Sequence, residues 1–396
     1  MFYITVKQSP KYRQLSLEEF LFGAGDFNPV INYNETNTRT YEVESVSQRM
    51  KKKFNFDALD AMQKLINFNQ KTKCLREVPR SSLYHSFKIP KRSGGSRRID
   101  APNDDLKLAL YELKEIFEKD FYASYHTSAF AYIKGRSTIS CVKKHQDNTS
   151  RWFAKLDLSN FFGSTTLDFV MNQLSMIYPF CEVCEYRQGR DLLREALDLA
   201  FLNGGLPQGT PISPLITNIM MIPIDHTLSR ELREFVRPKQ HKDGEVDEFW
   251  EYNFVYTRYA DDFIISSRYD FDIKEVENCI NGVLEKFKAP FLIKPEKTRY
   301  GSSAGRNWNL GVMLNKDNQI TIGHKKKHQF EQTLTAYVLD HKSGILWDLQ
   351  EVQAMEGLRS YYRMVEGEAI DRIVAFIGDK FGVNIPELIK NDLKVL

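Results

Sequence analysis

Long apolar stretches are missing from this chain of 396 residues. Nowhere do about 18 apolar residues follow one another, the length a membrane-spanning helix needs. The opening MFYITVKQSPKYRQ lacks the apolar centre of a secretory signal. No membrane partner is therefore expected, and the cytoplasm is the expected compartment. Cysteine is scarce: five in the whole chain, an odd number without framework spacing, so a disulfide scaffold is excluded. An excess of one charge is missing too. The 55 Lys and Arg stand against 52 Asp and Glu, leaving +3, so any surface for a polyanion has to be local. Repeats and low-complexity tracts are absent, which excludes a solenoid. What is present is a hydrophobic share of 42%, enough for a sizeable core in two or three domains.

The first 50 residues are polar, and the tract NYNETNTRT from Asn32 to Thr40 suits a loop. From Asp57, a capping residue, an amphipathic helix is expected with Leu59, Met62, Leu65 and Ile66 on one face. Asp105 to Lys119 predicts a second helix on Leu106, Leu110, Leu113, Ile116 and Phe117. Between them, residues 71–100 hold nine Lys and Arg against two acids, a local charge of +7. This stretch contains SFKIPKRSGGSRRIDAP, which reads as a basic β-hairpin packed on one face with its cations aimed one way.

From Arg151 the pattern is strand, turn, helix. A helix from about Asp191 is expected to end at Gly204-Gly205, followed by the turn LPQGTPISP and an apolar helix from about Leu215 to Leu232. NFVYTRYADDFIISSRY predicts two strands joined by a tight acidic turn. A helix after Asp272, the short strand pair NWNLGVMLN and QITIG, and a helical tail from His324 follow. Leu334, Val338, Leu346, Leu349, Val352 and Met355 are its candidate core. The class is α+β.

Adjacent carboxylates in a turn, Asp261 and Asp262, repel each other and ask for a cation. Asp157 ends the apolar strand from Trp152 to Leu158 and can bring a third acid beside them, although Asp-Leu-Ser-Asn is also a plain helix-cap sequence. Three such acids would hold two Mg²⁺ ions through hard oxygen ligands, with Mn²⁺ a possible substitute.

FAKLDLSNFF, LPQGTPISPLITN and YADDF lie about 50 residues apart in that order. They resemble the three central palm motifs of reverse transcriptases. The middle block fits P-Q-G-x-x-x-S-P-x-x-x-N at all six fixed positions, the form found in prokaryotic enzymes of the group II intron, retron and defence-associated kinds. The resemblance extends to IPKRSGGSRRIDAP, KGRS, EKT, NLGVML and GLRSY, covering about Phe87 to Tyr361. It implies a right-hand polymerase fold: an extension over 1–70, fingers over 71–150 and 171–205, an antiparallel palm over 151–170 and 206–315, and a helical thumb over 316–396.

It also implies roles. Asp157 and Asp261 would bridge both metals, with Asp262 supporting and the Leu158 carbonyl an extra ligand. Phe162 would be the aromatic wall that excludes a 2′-hydroxyl, making deoxynucleoside triphosphates the substrate. Lys91 and Arg97 would neutralise the triphosphate, Gln208 and Gly209 would contact the nucleotide, and Lys297 would sit near the leaving pyrophosphate. Gly135, Arg136, Asn218 and Gly311 would hold template and primer, by phosphate contacts that weaken with salt.

The expected partners are an RNA template, possibly a companion noncoding RNA, and the DNA product; a homo-oligomer is left open. Retron enzymes carry Asn-Ala-x-x-His before the first palm motif and Val-Thr-Gly after the last. Here the stretches are Cys141-Val-Lys-Lys-His145 and Asn309-Leu-Gly311, and ribonuclease H or maturase modules are not expected. A stand-alone, defence-associated bacterial enzyme acting against phage is the resulting expectation. Template-independent or repetitive synthesis by the same site, and an RNA-binding scaffold with dispensable chemistry, are the alternatives. Cys181-Glu-Val-Cys184 lacks a second ligand pair and reads as structural. His324-Lys-Lys-Lys-His328 reads equally as a solvated helix start or a duplex contact.

Overall fold

The computed structural model describes residues 3–5, 31–33, 39–42, 56–90, 94–238, 249–303 and 311–395. Tyr3–Thr5, Ile31–Tyr33 and Arg39–Glu42 form a three-stranded antiparallel sheet with the last in the middle. The polar tract expected to be a loop is therefore bounded by paired strands, Asn32 facing Thr40. The β-branched and aromatic residues at its two ends suit a pleated backbone.

The chain divides into two compact units. The first comprises Met1–Tyr132, Leu158–Glu231 and Val276–Lys294. Its helix Ala58–Lys71 starts where the Asp57 side chain accepts the Leu59 and Asp60 amides, and it buries Ala61, Met62, Leu65 and Phe68. Leu59 falls outside that stripe and stays exposed. Helix Asp104–Lys119 buries the five residues its periodicity selects, plus Ala109. Helix Arg187–Asp198 ends earlier than expected. Gly204, at φ +81°, instead serves a tight turn closed by the reciprocal bonds of Leu202 and Gly205 at 2.9 and 3.1 Å. The apolar segment after the Pro-rich turn is two helices, Ser213–Met220 and Ile222–Glu231.

The basic segment is a hairpin as expected, Tyr84–Pro90 against Ser96–Pro102, with Phe87 opposite Ile99 and Ile89 opposite Arg97. It is not packed on one face. Beyond its base both strands are exposed on both sides, because its fixed points are at the base. There Asp100 donates its amide to the Gln208 carbonyl at 2.8 Å.

The second unit comprises Ile133–Asp157, Leu232–Glu275 and Pro295–Leu396. Helix α1 (Thr138–Asp147) opens on a Ser137–Ser140 capping box. The sheet contains β1 (Trp152–Asp157), β2 (Val255–Tyr259), β3 (Asp262–Ser267) and β4 (Arg299–Ser302), in the antiparallel order β4-β1-β3-β2. Phe153 and Ile264 bury one face with Val142, Val312 and Leu314. His145 of α1 is fully buried. It lies 2.6 Å through Nδ1 from Ser266 Oγ on β3 and 2.8 Å through Nε2 from Thr257 Oγ1 on β2.

After the strand pair Met313–Leu314 and Ile320–Thr321 come α2 (His324–Lys342), α3 (Leu349–Phe381) and α4 (Ile385–Val395). They enclose Leu334, Tyr337, Val338, Val352, Met355, Ile370 and Ile377. Leu346, expected in this core, is exposed. Helix α3 breaks at Glu366, whose backbone is non-helical (φ −138°, ψ 63°). The Glu366 carboxylate accepts bonds from Thr321 Oγ1, the Ile322 amide and Lys327 Nζ at 2.7, 2.9 and 2.9 Å. Among the described residues, no helix is long and apolar enough to cross a membrane.

Candidate active site

The acidic turn follows from strand pairing. β2 and β3 pair from Tyr259 opposite Asp262, leaving Ala260 and Asp261 as a two-residue loop. Asp262 is thus the first residue of the return strand rather than part of the turn. Ala260 has φ +58°, uncommon for a residue with a side chain. Its carbonyl is held at 3.2 Å by the guanidinium of Arg258, which is completely buried. The same register places Asp262 directly opposite Asp157 on β1, so three carboxylates meet at one end of the sheet.

Their electrostatics show what the cluster needs. The carboxyl of Asp261 is pushed above the usual range, first by burial, then by the charges of Asp262 and Asp157, with Lys297 opposing. Two ammonium groups already answer part of this demand. Lys297 Nζ lies 2.9 and 3.0 Å from the Asp157 carboxylate oxygens, and Lys155 Nζ lies 2.7 Å from Asp262 Oδ2. Among the described residues, no group of three or more His, Cys, Asp and Glu stands ready to hold an ion; Asp157 and Asp262 are engaged by lysines instead. The donors are nonetheless hard carboxylate oxygens in a cluster that cations visibly neutralise, which fits Mg²⁺ or Mn²⁺ chemistry.

Phe162, Gln208, Gly209, Arg97 and Leu158 belong to the first unit. Phe162 is buried, edge-on to Tyr132, and its carbonyl accepts the Leu206 amide at 3.0 Å. Its neighbour Phe161 packs on Phe291 at 5.0 Å, so both phenylalanines are core residues on at least one side. Gln208 and Gly209 meet the hairpin base. A Cβ on Gly209, at φ +120°, would stand 2.9 Å from Ile99 Cγ2 and 3.1 Å from the Asp100 carbonyl, so glycine is required here for an internal close approach. Arg97 is exposed on the hairpin, and Lys91 lies outside the described residues. The Leu158 side chain is buried and its backbone bridges to Ile293.

Asn218 is buried at 1% exposure, and its amide donates to the Ala131 carbonyl at 2.8 Å. Burial without a partner is costly for an amide, so this bond satisfies the side chain within the fold. Gly135 (φ +80°) and Arg136 precede α1. Gly311 (φ +90°) has its carbonyl capped by Lys326 Nζ at 2.6 Å. With Lys327 on Glu366, two lysines of the His324–His328 cluster serve internal contacts. Asn309 lies outside the described residues. Burial raises both Cys181, to about 11, and Cys184. They remain protonated thiols, as a structural pair should.

Sequence reasoning missed Lys155 and Arg258. Lys155 was available from alternation, because two residues before Asp157 on a strand means the same face. Arg258 carried no signal, since a charged residue in a strand reads as exposed.

This chain matches the family described as "Reverse transcriptase (RNA-dependent DNA polymerase)" over residues 89–331. It belongs to that family: it is an RNA-directed DNA polymerase of the right-hand fold, a class whose members use divalent metal ions. It is similar to the Retron Ec73 reverse transcriptase of Escherichia coli, 27% identical over 70% of this chain and 82% of that one. It is also similar to the Retron Ec83 reverse transcriptase of Escherichia coli, 26% identical over 75% and 87%. The departures at 141–145 and 309–311 therefore do not separate it from retron-like enzymes. Among solved structures, apo telomerase from Candida tropicalis truncated from its C-terminal domain aligns with a TM-score of 0.38 and 15% identity. That alignment covers 72% of this chain and 62% of the telomerase chain.

Proposed function

We propose that this enzyme extends a primer with deoxynucleotides on a companion noncoding RNA, using two Mg²⁺ ions, as part of a bacterial anti-phage system in the cytoplasm. The observation that carries the chemistry is the register that sets Asp157 opposite Asp262, with Asp261 in the loop beside them. The likeness to retron enzymes supports a dedicated RNA template, and the defence role rests on the sequence resemblance.

In this reading Asp157 and Asp261 hold the ions, which when bound supply Lewis acidity for the primer 3′-hydroxyl and the triphosphate. The 3′-hydroxyl gives up its proton to solvent as its oxygen bonds to the α-phosphorus, and the bond from that phosphorus to pyrophosphate breaks. Lys297 exchanges its ion pair with Asp157 for one with the leaving pyrophosphate, while Arg97 and Lys91 neutralise the triphosphate. Phe162, backed by Tyr132, walls the sugar. Gln208 and Gly209 position the nucleotide. Gly135, Arg136 and Gly311 face template and primer. Fingers over 71–150 and 171–205, palm over 151–170 and 206–315, and thumb over 316–396 are the corresponding subdomains.

The test is Mg²⁺-dependent incorporation of deoxynucleotides by protein purified with its bound RNA, followed by sequencing of RNA and product. Asp261→Asn should abolish incorporation without changing the circular dichroism spectrum. Absence of incorporation by wild type on every template, its own RNA included, refutes the proposal. A product unrelated to the bound RNA points to untemplated synthesis, and phage protection that survives Asp261→Asn points to a scaffold.

A further inference from the structure

We propose that Lys155 is the resident counter-cation of the acidic cluster: it withdraws Asp262 from metal coordination and sets how tightly Asp157 and Asp261 bind a divalent ion. The inference rests on the polymerase reading and deepens it.

The placement follows from the sheet. Lys155 and Asp157 are two apart on β1 and share a face. Lys155 stands opposite Ile264, and Asp157 opposite Asp262, so Lys155 is the diagonal neighbour of Asp262, within reach of a long side chain. It makes that contact at 2.7 Å, the length of a charge-assisted bond.

The two lysines of the cluster are not equivalent. The Lys297 side chain is 52% exposed, and the residue ends a single turn of 3₁₀ helix. The Lys155 side chain is 23% exposed, on a strand paired on both sides, and its partner Asp262 is 13% exposed. Lys297 is placed to exchange partners, whereas Lys155 and Asp262 are both fixed by the ladder. Among the described residues, no ion pair forms on Asp261. With all five groups charged, the cluster carries −1: three carboxylates against two ammoniums. Removing Lys155 makes it −2, and removing the charge of Asp262 makes it zero. If Asp262 serves only as Lys155's partner, removing both restores −1 and the original ion affinity.

This predicts a double-mutant cycle in Mn²⁺ affinity, read by electron paramagnetic resonance of free Mn²⁺ with protein alone. Lys155→Met should tighten binding and Asp262→Asn should weaken it. Each change should be roughly tenfold, the Coulomb effect of one unit charge on a nearby divalent ion close to the surface. The double variant should return to within about threefold of wild type. A double variant that stays as weak as Asp262→Asn makes Asp262 a direct ligand and overturns the inference, as does Lys155→Met binding Mn²⁺ no tighter than wild type. Should Lys155→Met fail to fold, the double variant, which removes the pair together, decides alone. Wild-type Mn²⁺ binding that is indifferent to Asp261→Asn overturns the reading of the site itself, a result distinct from the others.

Discussion

His145 joins α1 to the two strands that carry the acidic loop, and its hydrogen bonds fix its tautomer. Ser266 Oγ donates to Ser150 Oγ at 2.7 Å, so it accepts from His145 Nδ1–H. Thr257 Oγ1 accepts from the Cys141 thiol at 3.3 Å and donates to Nε2. Burial, reinforced by the neighbouring Lys144 charge, pushes this imidazole down from 6.5 to about 3. The folded state therefore excludes a proton that the unfolded chain binds below pH 6.5. The resulting stability is fully present above 6.5 and is lost as pH falls from 6.5 toward 3, at about 1.4 kcal/mol per pH unit. Between pH 6.5 and 4.5 the loss is about 2 kcal/mol, a large part of the stability of an ordinary domain.

The perturbation is His145→Gln, which can donate one bond and accept the other but does not titrate. Urea unfolding at pH 7.5, 6.5, 5.5 and 4.5 measures both proteins. The variant should start less stable and lose less with acid, so the two curves converge. Glu366, whose carboxyl is held below its ordinary 4.5 by Lys327, Thr321 and the Ile322 amide against the cost of burial, is present in both proteins and cancels from the comparison. Parallel lines for wild type and variant would show that His145 is not the buried neutral base described here.

Asp261→Asn should lower the incorporation rate on the order of 10²-fold or more. It should also raise the melting temperature at pH 7.5, because the folded carboxyl is pushed up: its contribution to stability is present below 3.8 and lost as pH rises through the folded value. A lower melting temperature at pH 7.5 contradicts this. Gly209→Ala should cost about 1–3 kcal/mol in thermal unfolding, from the clash with Ile99 and Asp100 and the positive φ; a neutral result would mean the turn relaxes away from the hairpin. Glu366→Ala should cost about 2 kcal/mol or more and raise amide exchange around the break in α3. The cost is present above pH 4.5 and shrinks as the wild-type carboxylate protonates at lower pH, and exchange unchanged there argues against the clamp. Phe162→Val should admit ribonucleotides about 10²-fold better, scored by competition between ribo- and deoxynucleoside triphosphates.

The sequence was most informative where one period governed one element. The helix Asp104–Lys119 was legible in its buried residues because a single apolar stripe decides its packing. The loop around Asp261 was legible because two β-rich runs flank it. Legibility failed where a distant partner set the outcome. Leu59 has the right spacing yet lies outside the buried stripe. The Gly204-Gly205 pair looks like a helix cap but closes a separate turn. The hairpin over 84–102 alternates as a one-sided strand does, yet it is anchored at its base by Gln208, a residue more than 100 positions away in sequence.

The acids and their counter-ions show the same division at atomic scale. Carboxylates that repel one another are conspicuous in sequence, because nothing local explains them and a cation must. The lysines that answer them look ordinary, since Lys155 is one charge in an apolar strand and Lys297 one in a charged run. Only the register of β1 against β3 turns Lys155 from a strand lysine into the diagonal neighbour of Asp262. A shift of one residue in that pairing would carry Lys155 and Asp157 to the opposite face together. The acid and its flanking lysine are therefore gained or lost as a unit, and a substitution that slips the register of β1 should abolish ion binding as completely as removing Asp157 itself.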